Sequence, residues 1–312
     1  MQITAPGTFH IVETNIPKPG DYEVLVEIEI VATCPRWDLN MMAGRDMFDA
    51  AVSPQYPLPP GFPGHEAAGF VRETGNKVNK LRIGDRVAAL EHLSGNGAYA
   101  QYMVYEEKDL IAIPDSVTFK KAVSFELLKC VLMGMTQFED MRGRTVLISG
   151  LGPAGILAVQ LAHIWGASQV VGLDLNEDRL AYVRSLGFDV CHPQELGQAR
   201  FDFGYDCVGF SSSVQHLLAH VDRHVVIFGV QKGDVVFGDS KWGTGIKLET
   251  YNGRPVTARD CELLLDAVTN KGLNTECIQT HHVPFTEYEK AVRLLSDQEA
   301  VKVHFYPGRD FD

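Results

Sequence analysis

Gly150, Gly152 and Gly155 stand at the spacing G-x-G-x-x-G, in the string Gly150-Leu151-Gly152-Pro153-Ala154-Gly155. Glycines also serve ordinary turns, so the string alone says little. Here it follows an apolar run, TVLIS (145–149), and opens a helical stretch, AGILAVQLAHIWG (154–166), which is the context that phosphate binding requires. Gly150 permits a sharp turn and Gly152 lets backbone amides approach a pyrophosphate. Gly155 lets helix and strand close up, and the helix dipole faces the phosphates. Asp174 ends the next apolar run, 19 residues after Gly155. A carboxylate there accepts from ribose hydroxyls and repels a 2′-phosphate, which favours NAD over NADP. Arg179 is close enough in sequence to bear on that choice, and is assigned here to a solvated helix face. Val208, Gly209, Phe228, Gly229 and Val230 follow later strand ends, where the nicotinamide half belongs, although such residues also make plain turns.

A second group of residues offers metal donors. Zinc takes thiolate, imidazole and carboxylate ligands, and a catalytic site leaves one position open. His65 and Glu66 adjoin in a turn flanked by Gly64, which should free both side chains from regular packing. Cys34 follows the run EVLVEIEIVAT (23–33), and Glu126 lies in AVSFELLKC (122–130). Taken singly, a Cys is usually core filler, a His is satisfied by backbone and a Glu is on the surface.

These groups need positioning elements, and the chain has three textures. Residues 1–117 alternate short β-rich runs, among them GFVRET (69–74) and DRVAAL (85–90), with Gly and Pro, as a small β unit does. In residues 118–275, apolar strands (145–150, 168–174, 203–209, 224–230) alternate with amphipathic helices (154–166, 176–187). That is the pattern of a doubly wound parallel sheet of the Rossmann type. In residues 276–312 a helix at 286–295, with Thr286 and Glu289 as a capping box, precedes a strand at 301–306. This tail is expected to return to the first domain. The 312 residues suffice for two domains, with 45% hydrophobic and 22% charged residues. A net charge of -12 without basic clusters argues against nucleic acid. No run is long enough to span a membrane, the first residues lack the form of a secretory signal, and six dispersed cysteines read as free thiols, so a cytoplasmic location is expected.

The segment 63–87, with Gly64-His65-Glu66, Gly69, Gly75 and Gly84-Asp85-Arg86-Val87, resembles the zinc-dependent medium-chain dehydrogenase/reductase family, and Gly97-Ala98-Tyr99-Ala100-Gln101-Tyr102 is similar to that family's next block. The resemblance covers nearly the whole chain. It implies an α/β protein in which a GroES-like β-barrel catalytic domain accompanies the Rossmann domain across a cleft, with homo-oligomers (dimer or tetramer). It also implies a metal site of Cys34, His65 and Glu126, with Glu66 joining in some states. Glu126 falls where the polyol dehydrogenase branch has its ligand. The activity implied is transfer of a hydride between a secondary alcohol or polyol and NAD, with zinc lowering the pKa of the alcohol.

Several features depart from the family pattern. The family's C-x-x-D becomes Cys34-Pro35-Arg36-Trp37-Asp38, one residue longer, which a bulged loop would absorb. Asp38 is expected to orient a ligand, His65 in particular. Trp37 and Asn40 replace the family's hydroxyl and imidazole proton relay, leaving zinc-bound water or Glu66 to take the proton. Trp37 lines the pocket or packs in the core. Cys130, four residues after Glu126, is assigned to packing. Only nine residues, none a cysteine, separate Val87 from Gly97 where relatives carry a four-cysteine lobe, so one catalytic zinc and no structural zinc is expected. Two rival functions are a zinc-free NADPH quinone or enone reductase and a catalytically silent nucleotide-binding protein.

Overall fold

The computed structural model describes residues 1–49, 51–91 and 95–310, so part of the short loop 88–97 lies outside the described residues. The chain divides into two compact units, one of residues 1–127 with 275–312 and one of residues 128–274.

In the second unit six strands lie in the order Val190–Cys191, Gln169–Leu173, Thr145–Ser149, Phe201–Asp206, Val221–Ile227, Lys247–Thr250. Every pairing among them is parallel. Counted along the chain this is 3-2-1-4-5-6, so strand order reverses between Thr145–Ser149 and Phe201–Asp206, the place where such sheets bind ligands. Burial explains why the central strands read as unbroken apolar runs: Val146, Leu147, Ile148, Val225 and Val226 are all fully buried. The helix Pro153–Ile164 has Pro153 in its first turn, where a missing amide costs nothing. The helix Glu177–Ser185 starts at Asn176, whose side chain accepts from the Arg179 amide, and Gly187 (φ +90°) follows its end.

The first unit is built around the ten-residue strand Glu23–Ala32. It pairs antiparallel with Glu66–Thr74, Tyr102–Glu106 and Val303–Phe305, within a seven-stranded sheet that also holds Arg86–Ala89, Leu110–Ala112 and His281–His282. Register breaks between Leu25 and Val26 and between Ile28 and Ile30 bend this strand. Tyr99, Phe285, Tyr288 and Phe305 are fully buried against one another, with Phe285 and Phe305 stacked at 4.6 Å. Through that cluster and its strand, the segment 275–312 is tied to residues 1–127.

Two local expectations are corrected. The short helix Phe119–Ala122 packs with the first unit, Phe119 meeting Phe70 at 4.9 Å, so that unit runs ten residues past 117. The Thr286 capping box does not form. The buried anchors Phe285 and Tyr288 set the frame, Thr286 falls inside a 3-10 turn, Phe285–Glu287, and the helix Tyr288–Ser296 begins without a side-chain cap. Among the described residues no helix is long and apolar enough to cross a membrane.

Candidate metal centre and nucleotide turn

The register of the first sheet delivers the donors. Ala32, the last residue of the central strand, lies opposite Glu66 on one side and His304 on the other. The residues just beyond these strand ends, Cys34, His65 and Lys302, are therefore brought to one corner. There the thiol of Cys34, a ring nitrogen of His65 and a carboxylate oxygen of Glu66 all lie within 4.8 Å of one another. Glu126, on the helix Phe125–Met135, brings Oε2 to 3.9 Å from His65 Nε2. Ligands of one tetrahedral zinc, with bonds of about 2.0–2.3 Å, stand roughly 3.3–3.8 Å apart, so this sulfur, nitrogen and oxygen donor set suits a borderline cation. His65 Nδ1 pairs with the carbonyl oxygen of Pro63 at 2.8 Å; a carbonyl only accepts, so Nδ1 carries a proton and Nε2 is the nitrogen that a metal would take.

The electrostatics point the same way. Burial works against a charged imidazole, but the Cys34 thiol and the carboxylates of Glu126 and Glu66 outweigh it and hold His65 up at about 10. Glu66 is fully buried, and its pKa is raised by burial while the ammonium of Lys302 opposes the shift. Lys302, also fully buried, donates to Glu66 Oε1 and to the Thr33 carbonyl at 2.6 Å. The other carboxylate oxygen, Oε2, is shut off from solvent with no hydrogen-bond partner among the described residues. An orphaned anionic oxygen beside a thiol and an imidazole is what a metal-binding corner leaves when its own side chains are counted alone.

Three expectations change here. Glu66 does not sit free in a turn, because it opens the strand Glu66–Thr74 and is held there by Lys302. The extra residue after Cys34 makes no bulge: a helix, Pro35–Met42, starts at once and absorbs it. Asp38 forms no hydrogen bond to His65. Its Oδ2 accepts from the Cys34 amide at 2.8 Å, and its Oδ1 accepts from the hydroxyls of Tyr99 (2.6 Å) and Tyr288 (2.5 Å). Asp38 thus fixes the backbone of Cys34, and burial raises its pKa against the pull of those bonds. Trp37 meets the edge of His65 at 6.1 Å, Phe62 at 5.3 Å and Phe48 at 6.0 Å between ring centres, while the Asn40 amide donates to the Arg36 carbonyl. Lys302 carries no sequence motif that would have marked it; only the register of the last strand reveals it.

In the second unit the glycine turn is explained position by position. Gly150 has φ +87°, and a β-carbon at Gly155 would lie 1.8 Å from the Gly150 carbonyl oxygen. Around Gly152, which caps the helix, a β-carbon would meet nothing within 4 Å. Gly155 is thus explained by the fold, whereas the space beside Gly152 is open. Asp174 accepts from the amides of Leu151 (2.7 Å) and Asn176 (3.0 Å), which ties it to this turn with lone pairs to spare. Arg179 is not on a solvated face: it is half-buried and donates to the Leu151 carbonyl at 3.2 Å, beside Asp174. Gly209 and Gly229 press on each other's backbone, a β-carbon on Gly229 falling 2.3 Å from the Gly209 nitrogen. Close chain approach therefore accounts for both. Val208 meets Gly150 directly, a β-carbon there lying 2.6 Å from its methyl, while Phe228 stacks on Tyr205. Val230 bounds the Gly209 turn through its carbonyl.

A Rossmann sheet in one unit and a sulfur, nitrogen and carboxylate corner in the other define the class of zinc-binding dehydrogenases. Two family models bear this out: residues 20–115 match the alcohol dehydrogenase GroES-like domain, and residues 153–250 match the zinc-binding dehydrogenase domain, together well over half the chain. The chain belongs to the zinc-dependent medium-chain dehydrogenase/reductase family. It is 27% identical over 347 aligned positions to an L-threonine 3-dehydrogenase of Francisella philomiragia, covering 96% of this chain and 95% of the relative. An alcohol dehydrogenase of Thermus sp. ATN1 superimposes with a TM-score of 0.85 at 20% identity over 98% of each chain. Galactitol-1-phosphate dehydrogenase from Escherichia coli does so at 0.84 and 20% identity, over 98% of this chain and all of that one.

Proposed function

We propose that this protein is an NAD-dependent alcohol dehydrogenase that oxidises a secondary alcohol or polyol at one zinc ion held by Cys34, His65 and Glu126, with Glu66 as an alternate ligand. The observation that carries the reading is the convergence of Cys34, His65 and Glu66 within 4.8 Å, with Glu126 beside His65. Bound by these groups, zinc supplies the Lewis acidity that eases loss of the alcohol proton, and nicotinamide supplies the hydride acceptor.

The chain's own residues do the rest. Asp38, anchored by Tyr99 and Tyr288, holds the amide of Cys34. Pro63 fixes the tautomer of His65. Lys302 holds one oxygen of Glu66 and leaves Oε2 open. With Trp37 and Asn40 in place of a hydroxyl and imidazole relay, Oε2 of Glu66 takes the proton in this reading. Gly152 gives a diphosphate access to the helix start, and Asp174 receives the ribose hydroxyls, which favours NAD over NADP. Relatives named for an alcohol, for L-threonine and for galactitol 1-phosphate are in keeping with a hydroxyl-bearing small molecule. Assembly as a homodimer or tetramer belongs to the same reading.

The test is elemental analysis of the purified protein together with NAD and NADP reduction followed on a panel of secondary alcohols and polyols. About one zinc per chain, and turnover that is faster with NAD and is lost on chelation, is the expected result. A metal-free protein with full activity, or one that strongly prefers NADPH and enones, would return the reading to a zinc-free reductase. Zinc and NAD both bound without turnover of any substrate would favour a silent binding protein.

A further inference from the structure

The helix Pro35–Met42 carries a cation that the site described above does not use. Arg36 lies in its first turn, two residues after Cys34. It is half-buried, its Nε is closed off from solvent without a hydrogen-bond partner, and among the described residues no carboxylate pairs with it. Each of the other half-buried arginines has an acceptor. Arg86 donates to the carbonyls of Pro114 and Val117, Arg144 meets Asp202, Arg179 reaches Leu151 and Arg254 grips Asp260.

A guanidinium half removed from water with an unfilled donor is costly unless something brought to it supplies the acceptor. The anions already at this corner do not fill that need. Glu66 is matched by Lys302, and Cys34 and Glu126 are matched by the divalent cation of the proposed function. The carboxylate of Asp38, in the same turn, is taken up by the Cys34 amide and the hydroxyls of Tyr99 and Tyr288, so the guanidinium of Arg36 is left without an anionic partner among the described residues. Next to it, Trp37 turns toward His65 and Phe48, and Phe48 is 68% exposed, an apolar rim against which a carbon skeleton can lie.

We propose that Arg36 receives an oxyanion carried by the substrate, a carboxylate or a phosphate, so that the substrates are hydroxy acids or phosphorylated polyols rather than neutral alcohols. This rests on the alcohol dehydrogenase reading and narrows it. Arginine suits the task because its planar fork meets either oxyanion through two parallel bonds.

The experiment compares kcat/KM for a neutral polyol, its monophosphate and its aldonic acid, in wild type, Arg36→Lys and Arg36→Gln, with KM for NAD measured alongside. Calorimetry of inorganic phosphate and of malonate, with NAD present to fill the nucleotide turn, gives a readout independent of turnover. The expected result is a preference of at least about tenfold for one charged substrate over the neutral one, set by charge-assisted hydrogen bonds. Arg36→Gln should collapse that ratio toward one, Arg36→Lys should restore part of it, and the matching anion should bind at least about tenfold more weakly to Arg36→Gln. The phosphate and carboxylate arms identify which oxyanion is read. Equal use of neutral and charged substrates by wild type overturns the proposal. So does an Arg36→Gln protein whose KM for NAD rises while the substrate ratio stands, since the cation then serves the cofactor's diphosphate. Should no substrate turn over at all, the dehydrogenase reading fails, and calorimetry still decides: an anion site lost in Arg36→Gln supports Arg36 as its receptor, and no anion binding refutes it.

Discussion

Gly152 and Gly155 belong to one motif, yet the structure separates what each is for, and a pair of alanine substitutions exposes the difference. At Gly155 the added β-carbon would lie 1.8 Å from the Gly150 carbonyl oxygen. Backbone on both sides must then part by more than 1 Å, on the order of overpacking a core, which costs about 1–3 kcal/mol. At Gly152 the same carbon meets nothing within 4 Å, and the residue sits at φ −66° and ψ −171°, where any amino acid is at ease. Alanine caps a helix less well than glycine but restricts the unfolded chain, two effects of opposite sign that leave roughly 0.5 kcal/mol or less. The methyl group does, however, stand where backbone amides must approach a pyrophosphate. Gly152→Ala should keep wild-type stability in urea unfolding without nucleotide and lose about 10–100-fold in NAD affinity by calorimetry, about 1.4–2.7 kcal/mol. Gly155→Ala should lose stability first. Wild-type affinity in a folded Gly152→Ala protein would refute the reasoning, because the open face of the turn would then not be where the nucleotide lies.

Lys302→Met should destabilise the metal-free protein by about 3 kcal/mol, the cost of leaving a buried carboxylate without its counter-charge, and the double variant with Glu66→Gln should regain most of it; urea unfolding reads both. Because the thiol and carboxylates hold metal-free His65 up at about 10, metal uptake must displace its proton, so apparent zinc affinity should climb with pH toward about 10. The same raised pKa means that His65 stabilises the metal-free fold fully below about 6.5, an advantage lost as pH rises through about 10; a pH-independent zinc affinity contradicts both statements. His304 is pushed down to about 4 by burial and then by Lys120 and His282, and its Nδ1 lacks a partner among the described residues. Stability should therefore fall as pH drops from about 6.5 toward 4, and His304→Gln should flatten that part of the profile.

The parallel sheet was open to sequence reading because both of its faces are covered. Thr145–Ser149 and the second half of Val221–Ile227 then become apolar runs, and the helix Glu177–Ser185 announces its ends with Asn176 and Gly187. Boundaries were harder wherever a distant contact outweighed a local signal. Thr286 has the right neighbours for a capping box, yet Phe285 and Tyr288 are both fully buried against Phe305 and Tyr99, and that packing fixes where the helix begins. The unit boundary moved past 117 for a similar reason, since nothing local tells that Phe119 reaches Phe70.

The site divides in the same way. Cys34, His65, Glu66 and Glu126 are donor types whose neighbours advertise them, and the structure brings the first three together with the fourth at the edge of His65. What tunes them comes from strand register and carries no motif. A lysine in the run VKVHFY looks like an ordinary edge residue until the pairing of His304 with Ala32 sets Lys302 against Glu66, more than two hundred positions away. Asp38 was assigned to the imidazole because a carboxylate behind a metal-bound histidine is a common pairing. The helix that begins at Pro35 turns it back on the residue that precedes the helix instead, four positions upstream, where it holds the Cys34 amide. The extra residue in that loop therefore does more than shift a spacing. It makes room for a helical turn that holds the Cys34 amide through Asp38 and turns Trp37 toward His65. A deletion that removes Pro35 and restores the shorter spacing should loosen Cys34 and weaken zinc retention against a chelator; unchanged retention would show that the turn merely tolerates its extra residue.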